Sequence, residues 1–282
     1  MLITKASGEV EPFIEDKLRL SLERAGADKD EIEKVVLEIN HRLHEGISTK
    51  KIYRIAFNLL KKSSRPIAAK YHLKRAIMEL GPSGYPFERF IGEILKHQEY
   101  SVRVGEIVKG ACVNHEIDVI AEKHDHHFMI ECKYHNQPGI ICNVKIPLYI
   151  QARFKDVEST WVRLPGHSEK FHQGWVVTNT KFSSDAIKYG NCAGLKMLGW
   201  DYPVKGSLKE LIDSLGLYPI TCLTTLTMLE KQNLLDRKVV LCKEVCSNEQ
   251  YLIQAGVGLS RVKSVLEEGR QLCYKLTGNG KH

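Results

Sequence analysis

Two short segments of the chain carry the residue types from which phosphodiester chemistry is built. One reads His115-Glu116-Ile117-Asp118-Val119 and the next Met129-Ile130-Glu131-Cys132-Lys133. Side chains alternate along a strand, so Glu131 and Lys133 share a face that Ile130 and Cys132 do not. If the two segments pair as a hairpin around residues 122–127, Asp118 reaches the same end of the sheet as Glu131. Two carboxylates and an ammonium then meet. Hard carboxylate oxygens hold Mg²⁺ or Mn²⁺ while leaving water on the ion. Such an ion activates water and neutralises charge building on a phosphate, and a lysine orients the water or stabilises the pentacovalent state. Arginine or glutamine at position 133 could not reproduce a compact, titratable ammonium. The competing structural reading makes Glu131 and Lys133 an exposed ion pair of little worth and Asp118 a turn cap.

The elements that must position these groups follow from periodicity. Two extended runs around Ser7-Gly8 predict an N-terminal hairpin over residues 2–13. Apolar residues at helical spacing then predict about four helices, punctuated by Gly26, Gly46 and Ser63-Ser64-Arg65-Pro66, with Pro66 opening the last. Gly81-Pro82-Ser83-Gly84 marks a domain boundary. Phe87, Phe90, Ile91, Ile94 and Leu95 form one face of a further helix that also carries Glu88. Past Tyr100 the period falls to two, predicting strands at Val102 to Val104, Ile117 to Ile120 and Phe128 to Ile130. A helix from Val144 to Val157, a strand at Trp175 to Thr178, a helix capped by Ser183 or Ser184 and a strand at Lys196 to Leu198 complete a three-layer α/β unit. Beyond Lys205 only helices are expected, at residues 208–215, 223–235, 239–245 and 250–272.

Bulk properties bound the function classes. The 41 Lys+Arg against 34 Asp+Glu leave a formal charge of +7, which fits a polyanionic partner, and 43% hydrophobic residues can fill real cores, so disorder is not the default. No apolar run approaches a membrane span and the N-terminus lacks a secretory pattern, so an intracellular, cytoplasmic protein without a membrane partner is expected. Eight cysteines lack the paired spacing of a zinc ribbon, and reduced thiols are the simplest reading. Cys242 and Cys246 share a helix face as buried small hydrophobes. His124, His126 and His127 fall in the presumed hairpin turn and read as a solvated loop.

Taken together, Phe87-Glu88, Glu99-Tyr100, Ile117-Asp118-Val119, Ile130-Glu131-Cys132-Lys133 and Gly174-Trp175-Val176-Val177-Thr178 with Phe182-Ser183 and Ala186-Ile187 resemble the PD-(D/E)xK nuclease superfamily. The likeness is greatest to Mrr-like restriction endonucleases and archaeal Holliday junction resolvases, over residues 85–200. The resemblance implies Mg²⁺ or Mn²⁺ at Asp118, Glu131 and Glu88, with Glu88 the helix-borne carboxylate and Gln151 on the following helix facing the scissile strand. Many Mrr-like members carry glutamine where this chain has Glu131, a change that favours metal binding.

The N-terminal residues Ile3-Thr4-Lys5, Gly8, Glu11-Pro12-Phe13, Lys17, Ile47-Ser48-Thr49 with Ile52-Tyr53, and Ala68-Ala69-Lys70-Tyr71 with Leu73 to Ala76 resemble the ATP-cone. This is the regulatory nucleotide module of ribonucleotide reductases and of their transcriptional repressor. The resemblance implies ATP or dATP held by Lys5, Glu11 and Lys17, with Thr49 a further carry-over. Cations near a hairpin and a helix start can neutralise a triphosphate. The chain has no Gly-x-x-x-x-Gly-Lys loop, so nucleotide sensing rather than hydrolysis is expected. Near the C-terminus, Leu252 to Ser260 with Gly256 and Gly258 looks like a helix-hairpin-helix turn that presents backbone N–H groups to a DNA phosphate, with Arg261 or Lys263 adding charge. A glycine-rich link between packed helices fits it equally.

The expected architecture is multidomain. Residues 1–83 form a β-hairpin and helical bundle of ATP-cone type, residues 84–204 a three-layer α/β restriction-endonuclease-like domain, and residues 205–282 a small all-α module. The expected activity is Mg²⁺-dependent cleavage of DNA under adenine-nucleotide control. A non-catalytic nucleotide-responsive DNA-binding regulator and a nuclease acting on RNA stay open. A homodimer is compatible with one site cutting one strand.

Overall fold

A computed structural model describes residues 1–5 and 7–274. Strands β1 (Leu2–Thr4) and β2 (Val10–Pro12) form the N-terminal hairpin, and β3 (Ile47–Ser48) adds a parallel strand beside β1. Four helices follow the predicted punctuation: α1 (Glu15–Arg24), α2 (Lys29–Arg42), α3 (Thr49–Ser63) and α4 (Arg65–Met78). The start of α2 is set by a capping box in which Asp28 accepts from the Glu31 N–H and Glu31 reaches back to the Asp28 N–H. Ser48 caps α3 in the same sense. Leu22, Ile39, Ile47, Ala56 and Leu60 are buried to 1% exposure or less and form the centre of this bundle.

A mixed five-stranded sheet in the order β10-β8-β6-β5-β4 organises the next unit. Its elements are α5 (Tyr85–Lys96), β4 (Ser101–Lys109), β5 (Asn114–Lys123), β6 (His126–Lys133), β7 (Ile141–Cys142), α6 (Lys145–Trp161), β8 (Phe171–Thr178), β9 (Lys181–Phe182), α7 (Ser184–Cys192) and β10 (Lys196–Leu198). The hairpins β4-β5 and β5-β6 are antiparallel, whereas β8 runs parallel to both β6 and β10. The short pair β7-β9 lies outside the predicted strands.

The alternation along β6 sorts its side chains to two faces. Met129 packs with Phe154, Val157 and Trp161 of α6, while Phe128 meets Tyr100 and Trp175 on the other face. A Cβ on Gly92 of α5 would meet Val102 and Val104 of β4. These valines share the face of Phe128 through the registers Val102↔Ala121 and Ala121↔Phe128. Helices thus cover both faces, giving the three-layer order.

The chain then continues through α8 (Leu208–Leu215), α9 (Met228–Asp236), α10 (Cys242–Ser247), α11 (Gln250–Gln254) and α12 (Leu259–Cys273). Two compact units result: Met1–Glu79 together with the chain from Tyr218, and Leu80–Leu217. Helix α8 therefore belongs with the sheet, and the later helices pack with the N-terminal bundle. Thr221 Oγ1 donates to the Ala76 carbonyl at 2.6 Å and Lys61 Nζ to the Thr224 carbonyl at 3.2 Å. Glu268, only 2% exposed, accepts from the Thr224 N–H, the Thr225 N–H and the Thr225 hydroxyl.

Three of the predicted C-terminal helices are shorter than apolar periodicity implies. A capping box of Thr227 with Glu230 starts α9 at Met228, several residues after the expected 223. Helix α10 begins only at Cys242. The long run 250–272 is split between α11 and α12, where Gly256 takes φ +89. Apolar residues on both sides of each break are buried, among them Leu226, Leu241, Val257 and Val262, so their spacing does not reveal the break.

Candidate active site

Asp118 sits where the sheet loses its regularity. The β5-β6 ladder ends at Val119↔Ile130, and in the β4-β5 register the position facing Asp118 is Gly105, which takes φ +71. Ile117 and Ile120, three residues apart, both join the cluster under α6, so the pleat is interrupted between them. Released from the ladder, Asp118 turns its carboxylate to the neighbouring strand, where Oδ2 accepts from the Cys132 N–H at 2.7 Å. That bond ties Asp118 to the Glu131–Cys132 peptide, one residue before Lys133.

Glu131 and Lys133 lie on one face of β6, Glu131 half-buried and Lys133 exposed. Glu88, in the first turn of α5, belongs to the same electrostatic cluster. Burial first, then the Asp118 charge, push the Glu131 carboxyl up to about 7. Glu88 is raised to about 7 by burial and then by Asp118, Glu116 and Glu131. Asp118 is also raised, mainly by burial, against the pull of the Cys132 N–H and the Arg153 and Lys133 cations. The structure therefore brings Asp118, Glu131, Lys133 and Glu88 together. Three carboxylates that resist ionisation because they are half-buried near one another are a donor set that a hard divalent cation relieves.

Gln151 and Arg153 lie on the same helix, α6, but about 200° apart around its axis. The Gln151 side-chain oxygen is buried and has no hydrogen-bond partner. Arg153 reaches the carboxylates: Nη1 donates to Glu131 Oε2 at 2.5 Å and Nη2 to the Glu116 carbonyl. Arg153 Nε approaches His115 Nδ1 at 3.5 Å, and His115 Nε2 meets Asp156 Oδ2 at 2.7 Å. Asp156 also accepts from the Cys112 and Val113 N–H groups, fixing the β4-β5 turn to α6. Sequence reasoning did not single out Arg153, Glu116, His115 or Asp156. The available signal was the α6 periodicity, which puts Arg153 on one flank of the stripe formed by Ile150, Phe154 and Val157.

The predicted nucleotide-binding residues gather at a second location, in the N-terminal bundle. Glu11, Lys17 and Thr49 line one cavity of about 240 Å³ with Tyr53 and Tyr71. Lys5 Nζ lies 2.8 Å from Glu11 Oε2 and Lys17 Nζ 3.9 Å from the same oxygen. The bond to Lys5 holds the Glu11 carboxyl below its ordinary value, and the bond to Glu11 holds the Lys5 ammonium above its own. Tyr53 stacks on Tyr71 with centroids 5.4 Å apart, and the Arg75 guanidinium lies over Tyr53.

Two expectations are corrected. His127 is not part of a solvated turn: it lies in β6, is 2% exposed and stacks on Trp161 at 4.0 Å between centroids. Burial lowers its imidazole to about 4. Arg261, considered as a phosphate contact in a helix-hairpin-helix, is instead held within the C-terminal helices. Its Nη1 donates to Glu230 Oε1 at 2.5 Å and its Nη2 to the Thr225 carbonyl. Of the two cysteines on α10, Cys242 is buried and donates to the Pro219 carbonyl, and Cys246 is partly buried.

Three family models match the chain: an ATP cone domain over residues 1–79, a restriction endonuclease over residues 81–199 and an AF1548-like C-terminal domain over residues 218–273. An uncharacterized protein from Archaeoglobus fulgidus is 37% identical over 186 residues, which is 64% of this chain and 99% of that protein. A solved structure titled as a protein of unknown function, AF1548, matches with a TM-score of 0.56 and 36% identity, covering 68% of this chain and 98% of that one. Given this identity over almost the whole of its relative, the chain belongs to the AF1548-like family and joins an ATP cone and a restriction-endonuclease domain to an AF1548-like C-terminal helical domain.

Proposed function

We propose that this protein is a metal-dependent DNA endonuclease whose cutting responds to ATP or dATP. The observation that carries the reading is the meeting of half-buried Asp118, Glu131 and Glu88 in one electrostatic cluster with Lys133, on the domain that matches a restriction endonuclease. The donor set fits Mg²⁺ or Mn²⁺, because all three groups offer hard oxygens and none is a thiolate or an imidazole. A divalent ion held there supplies charge neutralisation for the phosphate and makes a water more acidic.

The chain's own groups do the rest. Asp118 is oriented by the Cys132 N–H, so its free oxygen is fixed relative to Glu131. Lys133 places a positive charge at the exposed strand end, where a phosphate can approach and develop charge. Arg153 compensates part of the Glu131 charge and holds that carboxylate against α6. In the cone, Lys5 and Lys17 offer cations for a triphosphate, and the stacked Tyr53-Tyr71 pair offers an aromatic wall for a base.

Supercoiled plasmid incubated with Mg²⁺, with and without ATP and dATP, tests the reading, with single-stranded and duplex RNA digested in parallel. Nicked or linear plasmid that disappears on chelation is the expected result. Cutting confined to RNA would redirect the substrate, and the absence of cutting under every condition would favour a nucleotide-responsive DNA-binding regulator.

A further inference from the structure

Three histidines converge at the other end of β6. His127 and His172 are partners in the β6-β8 register and so stand side by side on one sheet face, while His167 comes from the segment joining α6 to β8. One ring nitrogen from each lies within 4.8 Å of the other two. His127 and His172 are 2% and 8% exposed. Buried polar groups almost always have a hydrogen-bond partner, yet both nitrogens of His127, Nδ1 of His167 and Nδ1 of His172 make no hydrogen bond.

His172 Nε2 lies 3.2 Å from the His167 carbonyl, which can only accept. Nε2 therefore carries a proton, and in the tautomer this bond selects Nδ1 is the nitrogen left to act as a ligand. A hydrogen bond from the far nitrogen to a backbone carbonyl is how metal-ligating histidines are usually oriented. The nearest carboxylate, Glu122, has Oε1 3.5 Å from His127 Nε2 and already pairs with Lys170 and Arg103.

We infer that His127, His167 and His172 form a binding site for a borderline transition-metal ion of the Zn²⁺ type, separate from the carboxylate site and structural in role. Around a tetrahedral zinc, with bonds of about 2.0–2.1 Å, ligand nitrogens stand roughly 3.3 Å apart. The three nitrogens, all within 4.8 Å of one another, need to close by no more than about 1.5 Å to reach that spacing. Imidazole selects zinc, copper or nickel over magnesium, whereas the carboxylate cluster selects the reverse. Four residue steps along the strand separate His127 from Glu131, roughly 13 Å, so a single ion cannot serve both ends. Bound metal would pin the connecting segment to the sheet and hold the end of α6, the helix that carries Arg153.

Full-length protein passed through gel filtration after exposure to zinc, and analysed for metal, should retain about one ion per chain. Co²⁺ in its place should give the intense visible bands of a tetrahedral, nitrogen-rich site. Asp118→Ala should retain the ion, whereas His167→Ala should lower zinc affinity at least about 10-fold to 100-fold, matching or exceeding the loss on removing an outer-shell partner. Circular dichroism checks that each variant is folded. Should His167→Ala not fold, the cobalt spectrum of the unsubstituted protein decides alone. Absence of retained zinc and of tetrahedral cobalt bands would overturn the site. So would zinc that is lost with Asp118→Ala but kept in His167→Ala.

Discussion

The cone cavity and the carboxylate cluster both concentrate charge, yet they solve opposite electrostatic problems. In the cone, Lys5, Lys17 and Glu11 compensate one another, with Lys17 63% exposed, so a nucleotide must compete with an existing ion pair. In the nuclease domain the carboxylates outnumber their cations and are half-buried, so loss of water and mutual repulsion raise their proton affinity. Binding at the first site exchanges partners in water and is modest per contact. Binding at the second relieves buried repulsion, and losing one group there carries a large penalty.

The comparison is tested most severely by Lys133→Ala. Plasmid cutting should fall by about 10²-fold to 10³-fold or more while a gel shift shows DNA binding largely intact. Equal loss of both would make Lys133 a binding residue only. The next effect is on stability. With carboxyls raised from 4.5 to about 7 at Glu131 and Glu88, the folded state binds more protons than the unfolded state between those values. Stability from these groups is therefore full below about pH 4.5 and is lost as the pH rises through about 7. In chelator, the melting temperature of the nuclease domain should drop by a few degrees between about pH 5.5 and about pH 8, and Mg²⁺ should reverse the drop. A melting temperature that rises over that interval would contradict the excess of buried negative charge.

Smaller changes are expected in the cone. Lys17→Ala should weaken ATP binding by about 10-fold in calorimetry, the scale of one charge-assisted hydrogen bond. Thr49→Ala should weaken it by no more than about 3-fold, the scale of a neutral hydrogen bond near solvent. Reversal of that order would move the phosphates from the lysines towards the start of α3.

Much of this arrangement was legible from local pattern. The β5-β6 hairpin and the shared face of Glu131 and Lys133 follow from a period of two, and the N-terminal bundle follows from its helical spacing and caps. What could not be read depends on irregular backbone or distant partners. Asp118 reaches Cys132 because the pleat breaks opposite Gly105, and periodicity does not encode a break. Arg153 gains its role from the flank of α6 that happens to face Glu131. His127 looked like a turn residue beside His124 and His126; only the parallel pairing with β8 places it beside His172 under Trp161. In the C-terminal helices, Arg261 or Lys263 could add charge to a phosphate contact, and the sequence does not show that Arg261 pairs with Glu230 on another helix.

The central claim is that Asp118, Glu131 and Glu88 hold a divalent cation, and calorimetric titration of Mn²⁺ into the folded protein and into Asp118→Ala tests it directly. Saturable binding that weakens at least about 10-fold in the variant is the predicted result. Equal binding by both proteins, or no binding by either, would contradict it.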